Sequence, residues 1–520
     1  MGDSQGERKF FTGRMLTVLL FTTLSVAGIG FSIYLFYVAN SWYTLFLAVA
    51  FTILSLVAGF FNIYASVWYY RSQFYDGYLA RIKAGLKPIK SYPNIAVVMP
   101  IYNEDPAMVD GNLAELMKMN YPKDRLQFMI ADDSTDRGIV KRLEKISKKH
   151  GVRFIHRNDR KGFKAGALNN AVSKTNAEFI AVFDCDERLT DKDFLLNLLP
   201  YFQDKDISYV QTEKRYMKGG GFFSEAVDIF DAFFFKFIQP ARAFNNTAVF
   251  AGSCALIRHS AIDNIGGFPE YVIEDTFFSF ESDLHKWKSL YVPEVYAYGR
   301  PVKTFTELVK QQWRYNYGDT QFISYFYKKK GNLKGKTPLT YLDYYCHGFG
   351  LNYLSVVLIL FTLISVGIVF SAVPFAHIDI FTFFTQNLLQ QDLEILGFFA
   401  FTLSLLTPVV LTRIYFKSWS KGFMVFLLNY ALAFVRTKAA IATIVGKNPG
   451  IHWNRLKIAD QSNRGLIFSL YNTKTEIAFA SVMFGLAYIA LTQSNLAGGI
   501  WLAWYGVLYS LTAVFLYRYG

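Results

Sequence analysis

Three long stretches of the chain, residues 15–39, 42–70 and 349–376, contain no charged residue. A helix needs roughly 20 apolar residues to cross the core of a bilayer, so each stretch is long enough to span it. In lipid the backbone must satisfy its own hydrogen bonds, and a helix does so within one segment. Buried helices of a soluble core are the alternative, but uncharged helices of this length are rare in soluble folds. The three stretches therefore predict a protein that spans a membrane.

The composition supports the same interpretation. Hydrophobic residues make up 52% of the chain and charged residues only 18%, whereas a soluble protein carries about a quarter charged residues. The net charge of +14 is compatible with nucleic-acid binding or with loops that lie against anionic lipid. Because the basic residues mostly border the apolar stretches or lie in the soluble segment, we expect membrane lipids as partners and no nucleic acid. The three cysteines lie far apart without paired CxxC spacing, which argues against a disulfide framework or a zinc site.

Basic residues at the ends of the apolar stretches predict the orientation. Arg8, Lys9 and Arg14 precede the first stretch, and Arg71 follows the second. Because positive charge stays on the cytosolic side, both ends of this helical hairpin, and with them the soluble segment 71–345, are expected in the cytosol. The first stretch is too long for a signal peptide, and a second follows after a short turn. We therefore predict a multi-pass protein of the plasma membrane.

Three further stretches, residues 395–412, 477–493 and 500–516, complete the predicted membrane region. Residues 423–435 are ambiguous, because a run of about 13 uncharged residues is short for a span and fits an interfacial or re-entrant helix. A crossing at this point would also place the basic loop 447–464 on the outer side. Six spans with additional interface helices are therefore predicted, and seven spans are the alternative.

The soluble segment has the pattern of an α/β domain. Apolar runs at residues 94–100, 126–131, 154–156 and 179–183 predict buried strands. Charge-rich helical stretches separate these runs, and such alternation is typical of a parallel sheet with crossover helices. Ligands of such sheets bind beyond the carboxyl ends of the strands, so the residues that follow each run are candidates for a site.

Three polar motifs occupy these positions: residues 100–104 (PIYNE), residues 132–135 (DDST) and residues 184–186 (DCD). In the third motif, Asp184 and Asp186 have the spacing with which two carboxylates share a hard cation such as Mg²⁺ or Mn²⁺. Such a cation takes its remaining ligands from substrate phosphates and neutralises a leaving diphosphate. A solvated acidic turn is the alternative interpretation of this motif alone.

Taken together, the motifs resemble those of the membrane-integrated family 2 glycosyltransferases, the class of the cellulose and hyaluronan synthases. Residues 164–169 (KAGALN) resemble the KAGxLN stretch of that family, and residues 250–253 (FAGS) resemble its segment near the acceptor terminus. Residues 273–275 (IED) are similar to the TED motif. Residues 311–315 (QQWRY) resemble QxxRW, with Gly318 at the expected distance beyond.

The resemblance covers nearly the whole chain and implies an α/β GT-A (Rossmann-like) domain in the cytosol, inserted in an α-helical transmembrane domain. The predicted units are a transmembrane hairpin (1–70), the glycosyltransferase domain (71–300), interface helices with the QxxRW-like motif (301–345) and a C-terminal transmembrane region (346–520). The last unit contains the loop 446–464, which resembles the family's gating loop through Trp453, Arg455 and Lys457. A basic loop that faces lipid is the alternative.

The resemblance also implies a role for each matching residue. Asp275 takes the role of general base, since transfer to a hydroxyl needs a base about 3 Å from the acceptor oxygen. The residues implied in donor and nucleotide binding are Tyr102, Glu104, Asp132, Asp133, Lys164, Asp184 and Arg314. The residues implied in acceptor binding are Gly252, Ser253, Glu274, Gln311 and Tyr315. The implied metal ligands are Asp184 and Asp186, with Mg²⁺ or Mn²⁺ as the cation.

Two of these assignments have alternatives, and two positions depart from the family pattern. Asp275 precedes an apolar helical run and is alternatively a helix N-terminal charge, while Arg314 is alternatively a snorkelling residue on an interface helix. Tyr315 stands where the family has a Trp that stacks on the acceptor sugar, and Ala251 stands where polysaccharide synthases often have Cys. Both departures concern the acceptor side, so they affect the product more than the donor chemistry.

These features predict an inverting glycosyltransferase that builds a β-linked glycan from a nucleotide sugar, repeatedly and with translocation through the membrane. A UDP-sugar is the preferred donor, although users of GDP-mannose share most of the motifs. Transfer of a single sugar onto a lipid acceptor is the second hypothesis. A transporter or scaffold with a degenerate transferase domain is the third, and the presence of every expected acidic residue argues against it.

Overall fold

The computed structural model describes residues 39–333, 336–370, 406–447, 465–493 and 495–520, together with scattered positions between 19 and 37. Within these residues the chain forms an α/β domain and a set of long apolar helices. The predicted α/β fold is confirmed. Most of the predicted spans 15–39 and 395–412, and the gating-like residues Trp453, Arg455 and Lys457, lie outside the described residues.

Ten strands form two sheets in the α/β domain. They are β1 (Ile95–Ile101), β2 (Leu126–Asp132), β3 (Arg153–His156), β4 (Phe179–Val182), β5 (Arg188–Leu189), β6 (Ile207–Thr212), β7 (Arg215–Tyr216), β8 (Ala255–Arg258), β9 (Lys288–Val292) and β10 (Ala297–Gly299). The main sheet has the order β3-β2-β1-β4-β8-β6-β9, and β5-β10-β7 form a smaller one.

The main sheet is mixed, and here the predicted parallel sheet needs correction. The strands β3, β2, β1 and β4 are parallel, as expected, but β8 is antiparallel to both β4 and β6. The alternation of strands and helices that indicated a parallel sheet ends after β4. The chain then forms short strands and further helices before it enters β8, so no crossover helix imposes a parallel direction on that strand.

The central strand β1 shows why this part of the sequence folds as it does. All seven of its residues are buried, as expected for a parallel strand covered on both faces. One face, with Val97 and Met99, packs in a cluster with Leu113. The opposite face, with Val98, packs in a cluster with Leu168. The sheet is therefore sandwiched between helices, and its carboxyl edge remains open for a site.

The helices of the α/β domain surround this sheet. They are α2 (Tyr75–Gly85), α3 (Pro106–Leu116), α4 (Arg137–His150), α5 (Phe163–Val172), α6 (Phe194–Leu198), α7 (Gly221–Phe233), α8 (Gln239–Ala243), α9 (His259–Ile265), α10 (Glu274–Leu284) and α11 (Phe305–Lys329). A π-helical turn, Phe234–Ile238, joins α7 to α8.

The remaining helices are mostly apolar, and most of them are long. They are α1 (Trp42–Ser72), α12 (Pro338–Val369), α13 (Thr407–Phe416), α14 (Trp419–Ile444), α15 (Leu466–Asn472), α16 (Lys474–Thr492) and α17 (Leu496–Tyr519). Four helical segments of the described chain are long and apolar enough to cross a membrane: Trp42–Gly85, Trp419–Ile444, Lys474–Thr492 and Gly498–Tyr519. Leu354–Val369 is a shorter apolar helix.

Helix α14 differs from the short interfacial helix expected at residues 423–435. It continues for 26 residues and has the length and composition of a span, which favours the seven-span alternative. The helix extends through two basic residues because both find partners inside the protein. Arg436 is fully buried and donates to Gln312 and Asn429, and Lys438 lies 2.8 Å from the Glu476 carboxylate.

Helix α11 connects the α/β domain to the apolar helices. Near its start, Phe305 and Leu308 pack in a cluster with Leu432 of α14. Further along, Trp313 and Tyr317 pack in a second cluster on α14. Glu307, Arg314 and Tyr315 of the same helix line the cavity at the sheet's open edge, so α11 lies between this edge and the apolar helices.

Candidate active site

A cavity of about 730 Å³ opens beyond the carboxyl ends of β1 and β4, bounded on the far side by α10 and α11. This is the place that the strand pattern predicted. The predicted site residues that line it are Tyr102, Glu104, Asp133, Lys164, Asp184, Asp186, Gly252, Glu274, Asp275, Arg314 and Tyr315. Three other described residues from the prediction, Asp132, Ser253 and Gln311, do not line the cavity.

Aromatic and guanidinium groups stack at the end of the cavity where nucleotide binding was predicted. The guanidinium carbon of Arg160 lies 3.2 Å from the centroid of the Tyr102 ring and 5.5 Å from that of Phe163. The Phe163 side chain is 41% exposed, so a flat surface faces the cavity. Sequence reasoning identified Tyr102 alone. Such a surface suits a planar base.

The two aspartates that follow β2 have different surroundings. Asp133 lines the cavity and accepts two hydrogen bonds from Arg157, at 2.7 and 2.6 Å. Asp132 is fully buried, accepts from the Ser134 N–H at 3.1 Å and pairs with His156 Nδ1 at 2.7 Å. The Asp132 carboxylate therefore stabilises the loop that follows β2. Asp133, which is paired with Arg157, faces the cavity.

Lys164 lies in the first turn of α5, at the centre of the cavity. Its Nζ is 2.5 Å from Asp184 Oδ1 and 3.9 Å from Glu274 Oε1, and it donates to the Gly252 carbonyl at 2.9 Å. An ammonium group at a helix N-terminus attracts anions such as a diphosphate. The position of Lys164 between three segments makes it the main cationic group of the cavity centre.

The Asp184 and Asp186 carboxylates fit a divalent cation whose coordination is completed by phosphates. Burial would raise the pKa of Asp184, but the Lys164 and Lys214 ammonium groups outweigh it and hold that pKa well below its usual range. Burial, together with the charges of Asp184 and Glu187, raises the pKa of Asp186 to about 7. A cation between the two carboxylates would relieve this repulsion.

Protein side chains alone do not complete such a site. Among the residues described by the structure, no group of three or more His, Cys, Asp or Glu side chains is arranged to hold a metal ion. Mg²⁺ bound at a pair of carboxylates commonly takes further ligands from substrate phosphates.

Asp275 lies at the start of α10. One of its carboxylate oxygens accepts a hydrogen bond, and the other points towards Gly252. The Thr276 N–H donates to Oδ1 at 2.8 Å. A Cβ at Gly252 would lie 3.2 Å from Oδ2, and Gly252 has a φ of +84°. Burial raises the pKa of Asp275, and burial followed by the charge of Asp275 raises the pKa of Glu274 to about 7. The helix N-terminal interpretation and the catalytic one are thus compatible.

The acceptor end of the cavity is formed by α11. Arg314 and Tyr315 both line the cavity, and the guanidinium carbon of Arg314 lies 5.3 Å from the Tyr315 ring centroid. Arg314 is therefore directed into the site, not along the membrane surface. Gln311 donates to the Tyr315 hydroxyl at 3.3 Å, so it orients the ring from behind the cavity wall.

Lys214 and Glu187 are residues of the site that sequence reasoning missed. Lys214 lines the cavity, and its Nζ lies 3.1 Å from Glu187 Oε1 and 3.5 Å from Asp184 Oδ2. It donates to the Ser253 hydroxyl at 2.5 Å. The signal that would have found it is its place just beyond β6, the same strand-end position as the other motifs, but that strand was not predicted.

Part of the chain is similar to known proteins. Residues 96–266 match the model of the family described as "Glycosyl transferase family 2". The chain is 30% identical over 250 residues to "Probable glucomannan 4-beta-mannosyltransferase 2" of Oryza sativa subsp. japonica, which covers 46% of this chain and 43% of that protein. It is 25% identical over 367 residues to "Cellulose synthase 2" of Novacetimonas hansenii, which covers 69% of this chain and 22% of that protein.

A solved structure, the mannosyltransferase PcManGT from Pyrobaculum calidifontis in complex with GDP-Man and Mn2+, matches with a TM-score of 0.48 and 16% identity, covering 74% of this chain and 100% of that chain. The chain spans less than half of the length of each of the two curated relatives. The chain thus carries a family 2 glycosyltransferase domain at residues 96–266.

Proposed function

We propose that this chain is an inverting glycosyltransferase that builds a β-linked glycan from a nucleotide sugar at the cytosolic face of the plasma membrane. One observation carries the proposal: Gly252 lies between the Asp275 carboxylate and the Lys164 ammonium group. A Cβ at this glycine would be 3.2 Å from Asp275 Oδ2 and 3.4 Å from Lys164 Nζ. A base and a cation therefore face each other across one residue of the backbone. The names of the relatives, a cellulose synthase and a glucomannan mannosyltransferase, support a β-glycan product.

The donor binds with its base on the Tyr102 and Arg160 surface and its diphosphate at Lys164. The pair of Asp133 and Arg157 beside this surface is rigid, so it offers fixed hydrogen-bonding groups to the nucleoside. UDP-sugars are the expected donors. When a divalent cation is bound at Asp184 and Asp186, it neutralises charge on the leaving diphosphate.

Asp275 acts as the general base in a single displacement. The acceptor hydroxyl oxygen attacks the anomeric carbon, the bond from that carbon to the phosphate oxygen breaks, and the hydroxyl proton passes to Asp275 Oδ2. Lys164 and Arg314 stabilise the negative charge on the departing diphosphate. One displacement with one base inverts the configuration at the anomeric carbon.

The cavity wall supports repeated transfer into the membrane region. Val302 lines the cavity and also packs against the cluster formed by membrane helices α14 and α17. Arg314 and Tyr315 stand on the cavity side of α11, whereas Trp313 and Tyr317 of the same helix pack on α14. Helix α11 therefore lies between a growing glycan at the acceptor end and the apolar helices through which we propose that it is translocated.

Product analysis with labelled donors tests the proposal. Purified protein in lipid vesicles is supplied with labelled UDP-glucose or GDP-mannose and Mg²⁺ or Mn²⁺, and the products are separated by size and by lipid extraction. We expect a long β-linked polysaccharide from the UDP-sugar, and none from the Asp275→Asn variant. A lipid carrying one sugar would replace repeated transfer by single transfer to a lipid, and no consumption of either donor would overturn the proposal.

A further inference from the structure

The closest contacts of Lys214 are with Ser253 and Glu187, neither of which lines the cavity. Its Nζ donates to the Ser253 hydroxyl at 2.5 Å and lies 3.1 Å from Glu187 Oε1. It also donates to the Ala251 carbonyl at 3.3 Å, while its distance to Asp184 Oδ2 is 3.5 Å. Lys164 differs in this respect, because its closest contact is Asp184, at 2.5 Å. Lys214 thus pairs most closely with the Glu187 carboxylate, and Lys164 pairs most closely with the Asp184 carboxylate.

The contacts of Lys214 belong to a closed network around the backbone of residues 251–253. The Ser253 hydroxyl donates to Glu187 Oε1 at 2.6 Å, and Glu187 Oε2 accepts from the Asp184 N–H at 2.9 Å. Gln211 holds the same backbone from the other side, because it accepts from the Ala251 N–H and donates to the Ser253 carbonyl. With this many partners, the segment has little freedom to move.

This segment forms the floor under the general base. Gly252 lies at its centre, with a φ of +84°, and a Cβ there would lie 3.2 Å from Asp275 Oδ2. An acceptor that reaches Asp275 must therefore pass over residues 251–253. A shift of this floor by a fraction of an ångström changes the distance between the acceptor oxygen and the base, to which transfer rates are very sensitive.

We propose that Lys214 is a positioning residue that holds residues 251–253 so that a sugar hydroxyl, in preference to water, reaches Asp275. The ammonium group neutralises the buried Glu187 carboxylate and fixes the Ser253 hydroxyl between them, which locks the floor. Water needs no such alignment, because it is small and reaches the base in many orientations. Loss of Lys214 therefore diverts the donor sugar from transfer to hydrolysis.

The role of Lys214 rests on the proposed function, and the measured quantity is the ratio of free sugar to sugar incorporated into product. Lys214→Met keeps the length of the side chain without its charge, and Lys218→Met is the matched control at an exposed lysine four residues on. Protein in lipid vesicles receives labelled UDP-glucose or GDP-mannose, and UDP and GDP binding is measured by calorimetry. We expect Lys214→Met to raise the ratio about tenfold and to leave nucleotide affinity within about twofold.

Ser253→Ala provides a second variant, because it removes the hydroxyl between Lys214 and Glu187 and leaves both charged groups in place. It is expected to raise the ratio in the same direction by a smaller factor, and it decides the question if Lys214→Met does not fold. An unchanged ratio in both variants would overturn the inference. So would a loss of nucleotide affinity in Lys214→Met as large as in Lys164→Met, since Lys214 would then bind the diphosphate. A wild-type protein that uses neither donor would overturn the proposed function itself.

Discussion

The two ends of the cavity are built in different ways. The nucleotide end combines residues just beyond β1, β2 and β4 with Lys164 of α5, and Asp133 is tied to Arg157 just beyond β3. The acceptor end combines residues from α10, α11 and the segment before β8. The donor half of the site is thus built mainly on the carboxyl edge of one sheet, whereas the acceptor half depends on how separate elements are assembled.

One close contact illustrates the assembly of the acceptor half. Gly318 of α11 lies so close to Ile273, the residue before Glu274, that a Cβ there would be 2.6 Å from Ile273 Cγ1. The same helix packs on membrane helix α14 through Trp313 and Tyr317. The position of the acceptor-side residues relative to Asp275 is therefore linked to the apolar helices.

The largest effect is expected for Asp275→Asn, which removes the base where the two halves meet. Transfer should fall by about 10³-fold, because the acceptor hydroxyl loses its proton acceptor, while UDP affinity stays within about twofold. Labelled-product assays and calorimetry measure the two quantities. Asp263→Asn, at an exposed carboxylate of α9, is the control. Unchanged transfer in Asp275→Asn would exclude this residue as the base.

A loss of about 10²-fold is expected for Asp186→Asn, which tests the donor half. The remaining carboxylate, Asp184, is already paired with two lysines, so Mn²⁺ binding in the presence of UDP should be lost in this variant. Chelation by EDTA should lower wild-type transfer by a similar factor. Asp124→Asn, at an exposed aspartate, should behave as wild type. Undiminished Mn²⁺ binding in Asp186→Asn would contradict the cation assignment.

The pH dependence should differ between the two halves of the site. The value of kcat/KM should change by about tenfold or less per pH unit. Asp275 is active when deprotonated, and burial raises its pKa, so kcat/KM should fall as the pH is lowered, approaching about tenfold per unit below that pKa. The fall should begin nearer to neutral pH than for an ordinary aspartate. UDP affinity over the same range should change less. A rate that rises on acidification would be inconsistent with this base.

The smallest effect is expected at the acceptor-side aromatic ring. Tyr315→Phe removes the hydroxyl that accepts from Gln311 but keeps the ring, so transfer should fall by only about two- to fivefold. UDP affinity should stay the same, because the residue lies at the acceptor end. Tyr315→Trp, which enlarges the stacking surface, should lengthen the glycan. Gel separation of labelled products measures both, and a change in donor affinity would show that the two halves are not separate.

The nucleotide half was predictable because its chemistry is local. The apolar run 94–100 predicted β1, observed at Ile95–Ile101, and the polar residues that follow such runs reached the cavity. Asp132 is the exception, since its carboxylate turns to His156. The sequence does not show which of two adjacent aspartates faces the ligand. The orientation of Asp132 depends on His156, which lies 24 residues away.

Residues whose role depends on distant partners were missed or misjudged. Lys214 follows β6, a strand that the sequence did not indicate, and its partner Ser253 is 39 residues away. Ser253 itself was expected at the acceptor but is fully buried in the network of Glu187. In α14, Arg436 appeared to end an apolar run, and only the hydrogen bond to Gln312 explains why the helix continues.

By itself, the sequence determined the apolar helices at residues 42–70, 477–493 and 500–516, the strands of the parallel half-sheet and the order of the donor motifs. Each of these follows from residues close together in the chain, through helix length, hydrophobic periodicity and the position of polar residues at strand ends. The direction of β8, the place of Lys214 and the length of α14 were decided by the tertiary structure. They depend on which charged and polar groups meet across the fold, since a buried charge is stable only where a partner satisfies it.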